Sequence, residues 1–414
     1  MFPPSWVALG ALLLVPFLLI ASDAAGGLRA GQAPNSRRIH TRGRRALREA
    51  MRTYEPVEDF AILVPIYGAI RYLENVAFLR PYGQRVVLCT TTEETAEFNA
   101  GLEQVARENG FRIFRGVVTR AASTGKRATG GTVRDRLVRD ALGEVEAEYV
   151  VCMDADTTCS RPLGELVGAL AARQLDMASV RLVPANRNAS FLTRLQAHEY
   201  RFAMHMRTVV PWLVSGACHV ARTDVHREVM SRHSLFFQGN DIEVGVLATA
   251  LGFDVGHIRY EVATNVPVKL RPWFRQRLAW AAGEVRLFLA NPQIAIRHPL
   301  FWCYGALLVI LASPLRWESV FQPGIPLLGV GISYCLLLFY FHFEHRDRYL
   351  LLLPFYGLFT SLVMVPLGVF AYTRMVLRDR NFGFIRLQRG EQLRKDWRAQ
   401  RVRVGARQRQ PDAA

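Results

Sequence analysis

Lysine is nearly absent: of the 52 lysines and arginines in this 414-residue chain, lysine supplies only Lys126, Lys269 and Lys395. Where arginine is so favoured, compact phosphate or amine chemistry is one reason to keep a lysine. That reading marks Lys126, in the Gly125-Lys126-Arg127 turn, against the alternative of a solvated loop charge. Cysteine is scarce too, six residues without a C-x-x-C pair, which leaves them reduced and mostly packing. No nucleic-acid-binding motif accompanies the net charge of +17, and the arginines crowd beside apolar stretches. An anionic membrane surface is therefore the expected partner, and nucleic acid is not. No Lys or Arg precedes the first apolar run, Trp6 to Ala21, whereas Arg29, Arg37, Arg38, Arg42, Arg44, Arg45 and Arg48 follow it. That asymmetry argues against a cleaved signal peptide and for an anchor with its N-terminus outside.

What is abundant is apolar surface. Half of the residues are hydrophobic, too many for an ordinary soluble enzyme, so membrane segments are expected. Pro299 to Ser313 is a short candidate, Ile325 to Phe343 a clear one, and Tyr349 to Leu377 a long one interrupted by Pro354 and Pro366. With a cytoplasmic basic tail, one of the three must be interfacial or re-entrant, or the last run must contain a break. The expected organisation is an anchor over residues 1–28, a basic linker over 29–56, a catalytic domain over 57–290, membrane helices over 291–377 and a basic tail over 378–414. The expected location is the cell membrane, with the catalytic domain cytoplasmic.

Between the apolar ends, strand and helix alternate. Phe60 to Pro65, Arg85 to Cys89 and Phe111 to Phe114 read as strands; Ala96 to Asn109 and Thr132 to Leu142 read as helices. A further apolar strand, Tyr149 to Met153, runs straight into Asp154-Ala155-Asp156. Desolvating unpaired carboxylates is costly, so a divalent cation is their natural partner, Mg²⁺ or Mn²⁺ carrying a diphosphate. Ligands of open α/β sheets sit beyond the carboxyl ends of strands, where this pair falls. A lone D-x-D is as readily an Asp-rich turn before Pro162. Asp241 opens a helical stretch that follows Gly239 and Asn240. It reads as a helix N-terminal residue or as a carboxylate aimed into a cleft.

The motifs Pro65-Ile66-Tyr67, Gly125-Lys126, Asp154-Ala155-Asp156, Ser215-Gly216-Ala217-Cys218, Gly239-Asn240-Asp241 and Gln276-Arg277-Leu278-Ala279-Trp280 occur in this order. In that order and spacing the chain resembles membrane-embedded family 2 glycosyltransferases of the hyaluronan, chitin and cellulose synthase type. The resemblance implies a GT-A, Rossmann-like cytosolic domain joined to α-helical transmembrane segments. It implies inverting transfer from a nucleotide-sugar donor to a growing glycan or lipid acceptor, with polymerisation and export. Asp241 is then the general base, Asp156 and Asp154 hold the metal, and Pro65, Tyr67, Lys126 and Asp154 face the donor. Ser215, Gly216, Cys218, Gln276, Arg277 and Trp280 line the substrate side. The chain departs from the pattern twice. Its second strand ends in Thr90, Thr91 and Thr92 where aspartates are usual, and Ala279 stands where an arginine is usual, leaving Arg277 or Arg275 to face the diphosphate. Non-processive transfer of one sugar to a polyprenyl phosphate or glycolipid is the alternative; the two departures suggest an inactive scaffold relative as another, against which the retention of Asp154, Asp156, Asp241, Gln276 and Trp280 argues.

Overall fold

The computed structural model describes residues 54–118, 130–209, 212–236, 240–289, 291, 348–359 and 363–385. Lys126, Gly239, the N-terminal anchor, most of the basic linker, the runs 299–313 and 325–343 and the basic tail from 386 lie outside them.

The strands are β1 (Phe60–Pro65), β2 (Val86–Thr91), β3 (Arg112–Gly116), β4 (Tyr149–Met153), β5 (Thr158–Cys159), β6 (Met177–Pro184), β7 (Cys218–Arg222) and β8 (Val255–Thr264). The helices are α1 (Val76–Leu79), α2 (Ala96–Asn109), α3 (Gly130–Leu142), α4 (Leu163–Ala172), α5 (Phe191–Val209), α6 (Thr223–Arg232), α7 (Asn240–Ala250), α8 (Leu270–Leu289), α9 (Leu353–Phe359) and α10 (Val365–Asp379). Sequence and structure agree most closely at α2. There the Thr95 side chain accepts the Phe98 N–H and Gly110 takes the left-handed conformation that ends the helix.

One mixed sheet runs in the order β3-β2-β1-β4-β7-β6-β8-β5. Its β3-β2-β1-β4 part is parallel and Rossmann-like, and the order reverses between β1 and β4. A topological switch point of this kind opens a crevice at the strands' carboxyl ends. β1 and β4 are buried along their whole length, as strands covered on both faces must be. One core packs Ile62, Val151, Leu102 and Leu166 against α2, α4 and α5. The other packs Leu63, Cys152, Leu137 and Leu247 against α3, α6 and α7.

Two expectations change. Ser215 to Ala217 do not end a strand; they precede β7, which begins at Cys218 and runs antiparallel to β4. Because of that direction, the amino end of β7 meets the carboxyl end of β4, so the small residues still reach the crevice. The long apolar run from Tyr349 is divided, with a 3₁₀ turn at Arg348–Leu352, then α9, then α10, and prolines in the first turns of both helices. At ~1.5 Å per residue α10 extends about 22 Å, short of a ~30 Å hydrocarbon core. Among the described residues no helix is long and apolar enough to cross a membrane.

Candidate active site

The D-x-D turn is held from both sides. Asn75, 1% exposed, donates from Nδ2 to the carbonyls of Asp154 (3.1 Å) and Thr157 (2.8 Å). The backbone N–H groups of Glu74 and Asn75 both donate to Ala155 O. On the other side, the Asp154 N–H donates to Ala217 O at 2.9 Å, extending the β4–β7 ladder by one bond.

Arg134 links this turn to the second carboxylate. Its Nε donates to Asp154 Oδ1 at 2.9 Å, its Nη1 to Asp135 Oδ1 at 3.1 Å and its Nη2 to Gly216 O. Gly216 N–H in turn donates to Asp241 Oδ2 at 3.0 Å. The path Asp154, Arg134, Gly216, Asp241 therefore joins the end of β4, α3, the amino end of β7 and the first turn of α7. Gly245 permits this closeness, since a Cβ there would lie 2.0 Å from Trp212 O. Among the described residues Asp241 Oδ1 has no hydrogen-bond partner.

The two carboxylates of the turn differ. Arg134 compensates Asp154. Asp156 Oδ1 accepts from Thr157 Oγ1 at a long 3.3 Å, and burial and the neighbouring Asp154 push its carboxyl up. A donor set of two hard oxygens, one poorly compensated, fits a divalent cation that keeps most positions for a substrate's phosphates. Arg207 adds a cation. It lies on α5 and its Nη1 donates to Met204 Sδ; burial pushes it down to about 10, against the opposing pull of Asp241.

Of the other expected residues, Pro65 ends β1, and Tyr67 packs half-buried against the second core. Ser215 is buried; its Oγ accepts the Ala217 N–H and its carbonyl accepts from His219 Nδ1. Cys218 is wholly buried within the first core, so its side chain offers a substrate nothing, and the expectation of a contact there is corrected. The Thr91 hydroxyl donates to Glu94 Oε1 at 2.8 Å, and Glu94 Oε2 accepts the Gly68 N–H at 3.0 Å. Glu94 therefore brings a carboxylate to the end of β2, where the resemblance expects aspartates.

The Gln276-to-Trp280 stretch lies on α8. Arg277 is ion-paired with Glu199, sits with Cζ 4.2 Å over the Trp280 ring, and donates from Nη1 to Gln276 Oε1 at 3.4 Å. Tyr356 donates to the same Glu199 oxygen at 2.8 Å and accepts from Trp273 Nε1 at 2.9 Å. Arg277 thus has its charge compensated and is buried, which does not suit the diphosphate role expected of it. Arg275 is exposed and Trp280 is 40% exposed. Glu243 is wholly buried in an ion pair with Arg286 at 2.6 Å.

Arg134, Arg207 and Asn75 escaped the sequence reading, yet two carried a signal. Arg134 shares a helical stripe with Leu137, Val138 and Ala141, and Arg207 shares one with Tyr200, Ala203 and Met204. An arginine on an apolar stripe is buried with a purpose.

A family model described as glycosyl transferase family group 2 matches residues 149–373, more than half of the chain. An N-acetylglucosaminyltransferase of Azorhizobium caulinodans is 27% identical over 164 residues, 36% of this chain and 41% of the relative. Its counterpart in Bradyrhizobium diazoefficiens is 28% identical over 166 residues, 36% of this chain and 34% of the relative. The chain thus spans less than half the length of either relative. The structure of mannosyltransferase PcManGT from Pyrobaculum calidifontis, in complex with GDP-Man and Mn²⁺, aligns with 89% of this chain and 100% of its own at 15% identity and a TM-score of 0.42. A likeness at that score carries no argument about ligand or reaction.

Proposed function

The chain belongs to glycosyl transferase family group 2, and from that premise we propose that it transfers a sugar from a nucleotide-sugar donor to an acceptor hydroxyl, with inversion, in a GT-A domain. The observation that carries this reading is the bonded path from Asp154 through Arg134 and Gly216 to Asp241. Asp156 and Asp154 would hold Mg²⁺ or Mn²⁺, which when bound neutralises charge on the leaving diphosphate. Asp241 has Oδ2 fixed by Gly216 and Oδ1 left to accept the acceptor's proton. The acceptor oxygen bonds to the anomeric carbon as the bond to the diphosphate breaks, and the proton passes to Asp241. Arg207 supplies a fixed positive charge beside Asp241 in a setting with little water, where such charges act most strongly.

The relatives' name makes UDP-N-acetylglucosamine the first donor to test. The proposal extends to repeated addition, giving a β-linked polymer that leaves through the membrane, as in hyaluronan, chitin and cellulose synthases. Its supports are the order of motifs and an apolar surface on the last helices and the segments flanking them, where Leu351, Phe355, Phe359, Phe370, Phe382 and Phe384 are exposed. Residues rich in exposed aromatics suit a membrane interface. Full-length protein in detergent, given UDP-sugars with Mn²⁺ and sized for product, tests both parts. A polymer is expected. A single-sugar product overturns the repeated addition, and neither transfer nor donor hydrolysis with any nucleotide sugar overturns the whole reading.

A further inference from the structure

Behind the strand that leads into Asp154, three side chains with no part in sugar transfer converge. Cys152 on β4 and His219 on β7 are direct partners across the antiparallel ladder, and His226 on α6 closes over them. One ligand atom from each lies within 4.8 Å of the other two. Cys152 Sγ is 3.7 Å from His226 Nδ1, and the imidazoles cross edge to face with centroids 5.1 Å apart. Their exposures are 0%, 2% and 1%.

Their hydrogen bonding is incomplete in a specific way. His219 Nδ1 stands 3.0 Å from Ser215 O, an acceptor only, so Nδ1 carries the proton and Nε2 the lone pair. His219 Nε2 and His226 Nε2 are both buried without a hydrogen-bond partner among the described residues. A buried polar group left unpaired costs ~1–3 kcal/mol, and two adjacent ones call for an explanation. A thiol–imidazole bond from Cys152 to His226 leaves His219 unexplained. A carbonyl that fixes Nδ1 while Nε2 is left without a partner is how a metal-ligating histidine is oriented. Burial and Arg134 push His219 down to about 4, so the ring stays neutral and able to ligate.

We propose that Cys152, His219 and His226 form a structural zinc site that pins β4, β7 and α6 together behind the active site. Thiolate and imidazole select zinc, whereas the hard carboxylates of Asp154 and Asp156 suit Mg²⁺ or Mn²⁺. Zinc would draw the ligand atoms to roughly 3.4–3.6 Å apart, a contraction that imidazole rotation supplies. Among the described residues no fourth His, Cys or carboxylate joins the cluster. Binding releases the Cys152 thiol proton to solvent. Arg134, Asp135 and Asp154 face Cys152, Arg134 and Asp241 face His219, and Arg134 and His233 face His226; the carboxylates among them offset the added charge. Cys152 precedes Asp154 by two residues and His219 follows Gly216 by three, so the site fixes the spacing of the D-x-D turn and Asp241.

Full-length protein in detergent, dialysed against metal-free buffer, is analysed for bound metals, stripped of them with a chelator and then loaded with Co²⁺. About one zinc per chain is expected, together with a sulfur-to-cobalt charge-transfer band in the near ultraviolet. Cys152→Ser and His226→Gln should lose both, and Asp156→Asn should keep both, which separates this site from the carboxylate pair. The cobalt spectrum of the wild type needs no variant, so the test survives a variant that does not fold. Chelation should lower the Tm, and Zn²⁺ but not Mg²⁺ should restore it. Absence of the thiolate band in wild-type protein, or zinc retained undiminished by both variants, overturns the proposal.

Discussion

Asp241 and Arg207 face the same crevice, and their variants are expected to differ in what they disturb. Asp241→Asn keeps an oxygen to accept the Gly216 N–H, so the fold holds while the proposed proton acceptor is lost. Transfer should fall ~10²–10⁴-fold with donor binding retained, measured as kcat against the donor's KM. Arg207 is a half-buried cation whose Nη1 donates to a thioether, Met204 Sδ, and desolvation lowers it to about 10. Replacing a poorly compensated buried charge by an apolar side chain of similar volume is often neutral or stabilising. Arg207→Met should therefore leave the Tm unchanged or raised while kcat drops ~10²–10³-fold, as on losing one electrostatic contact to the transition state. A fall in Tm with unchanged kcat would make Arg207 a packing residue.

At the scale of elements, Glu243 ties α7 to α8. It accepts from Ser234 N and Oγ, at 2.6 and 2.8 Å, besides pairing with Arg286. Burial alone would raise this carboxyl, but His233, Arg286 and the Ser234 bonds outweigh it and hold it below the usual range. A depressed folded value means that its stabilisation is present above the ordinary glutamate value of about 4.3 and lost as pH falls through the depressed one. Glu243→Gln removes the carboxylate paired with the buried Arg286 and should cost ~3–5 kcal/mol. In thermal melts across acid pH, the variant should also lack that part of the wild type's decline. Equal melting curves at every pH would disconnect the pair from folding. Nearby, Gly368 lets α10 lie against α8, since a Cβ there would sit 2.8 Å from the Ala281 carbonyl carbon.

For the whole molecule, the question is where the apolar face of α9 and α10 goes. Phe355 is 70% and Phe370 65% exposed, on a chain of net charge +17. Both features suit an anionic bilayer surface. Phe355→Ser with Phe370→Ser in the full chain should weaken flotation with phosphatidylserine vesicles while leaving the melting temperature near that of the wild type. Unchanged flotation would place the membrane contact in other parts of the chain.

Much of this was legible along the chain because it is local. An apolar run bounded by turn residues is a strand wherever it packs, and Thr95 and Gly110 bound α2 through their own backbone neighbours. The carboxylate pair after Met153 falls beyond a buried strand on sequence grounds alone. Other features depend on which distant segments become neighbours. The antiparallel entry of β7 beside β4 brings Gly216 to Asp241 and His219 to Cys152, although Cys152 by itself reads as a packing residue. The burial of Arg277 against Glu199 and Tyr356 required α5, α8 and α9 to meet. Sequence fixes the periodicity and chemistry of each segment, since those act within a few residues. Partnership between groups tens of residues apart is decided by sheet order and helix packing, because only burial in a shared core makes one group's charge or lone pair the concern of another.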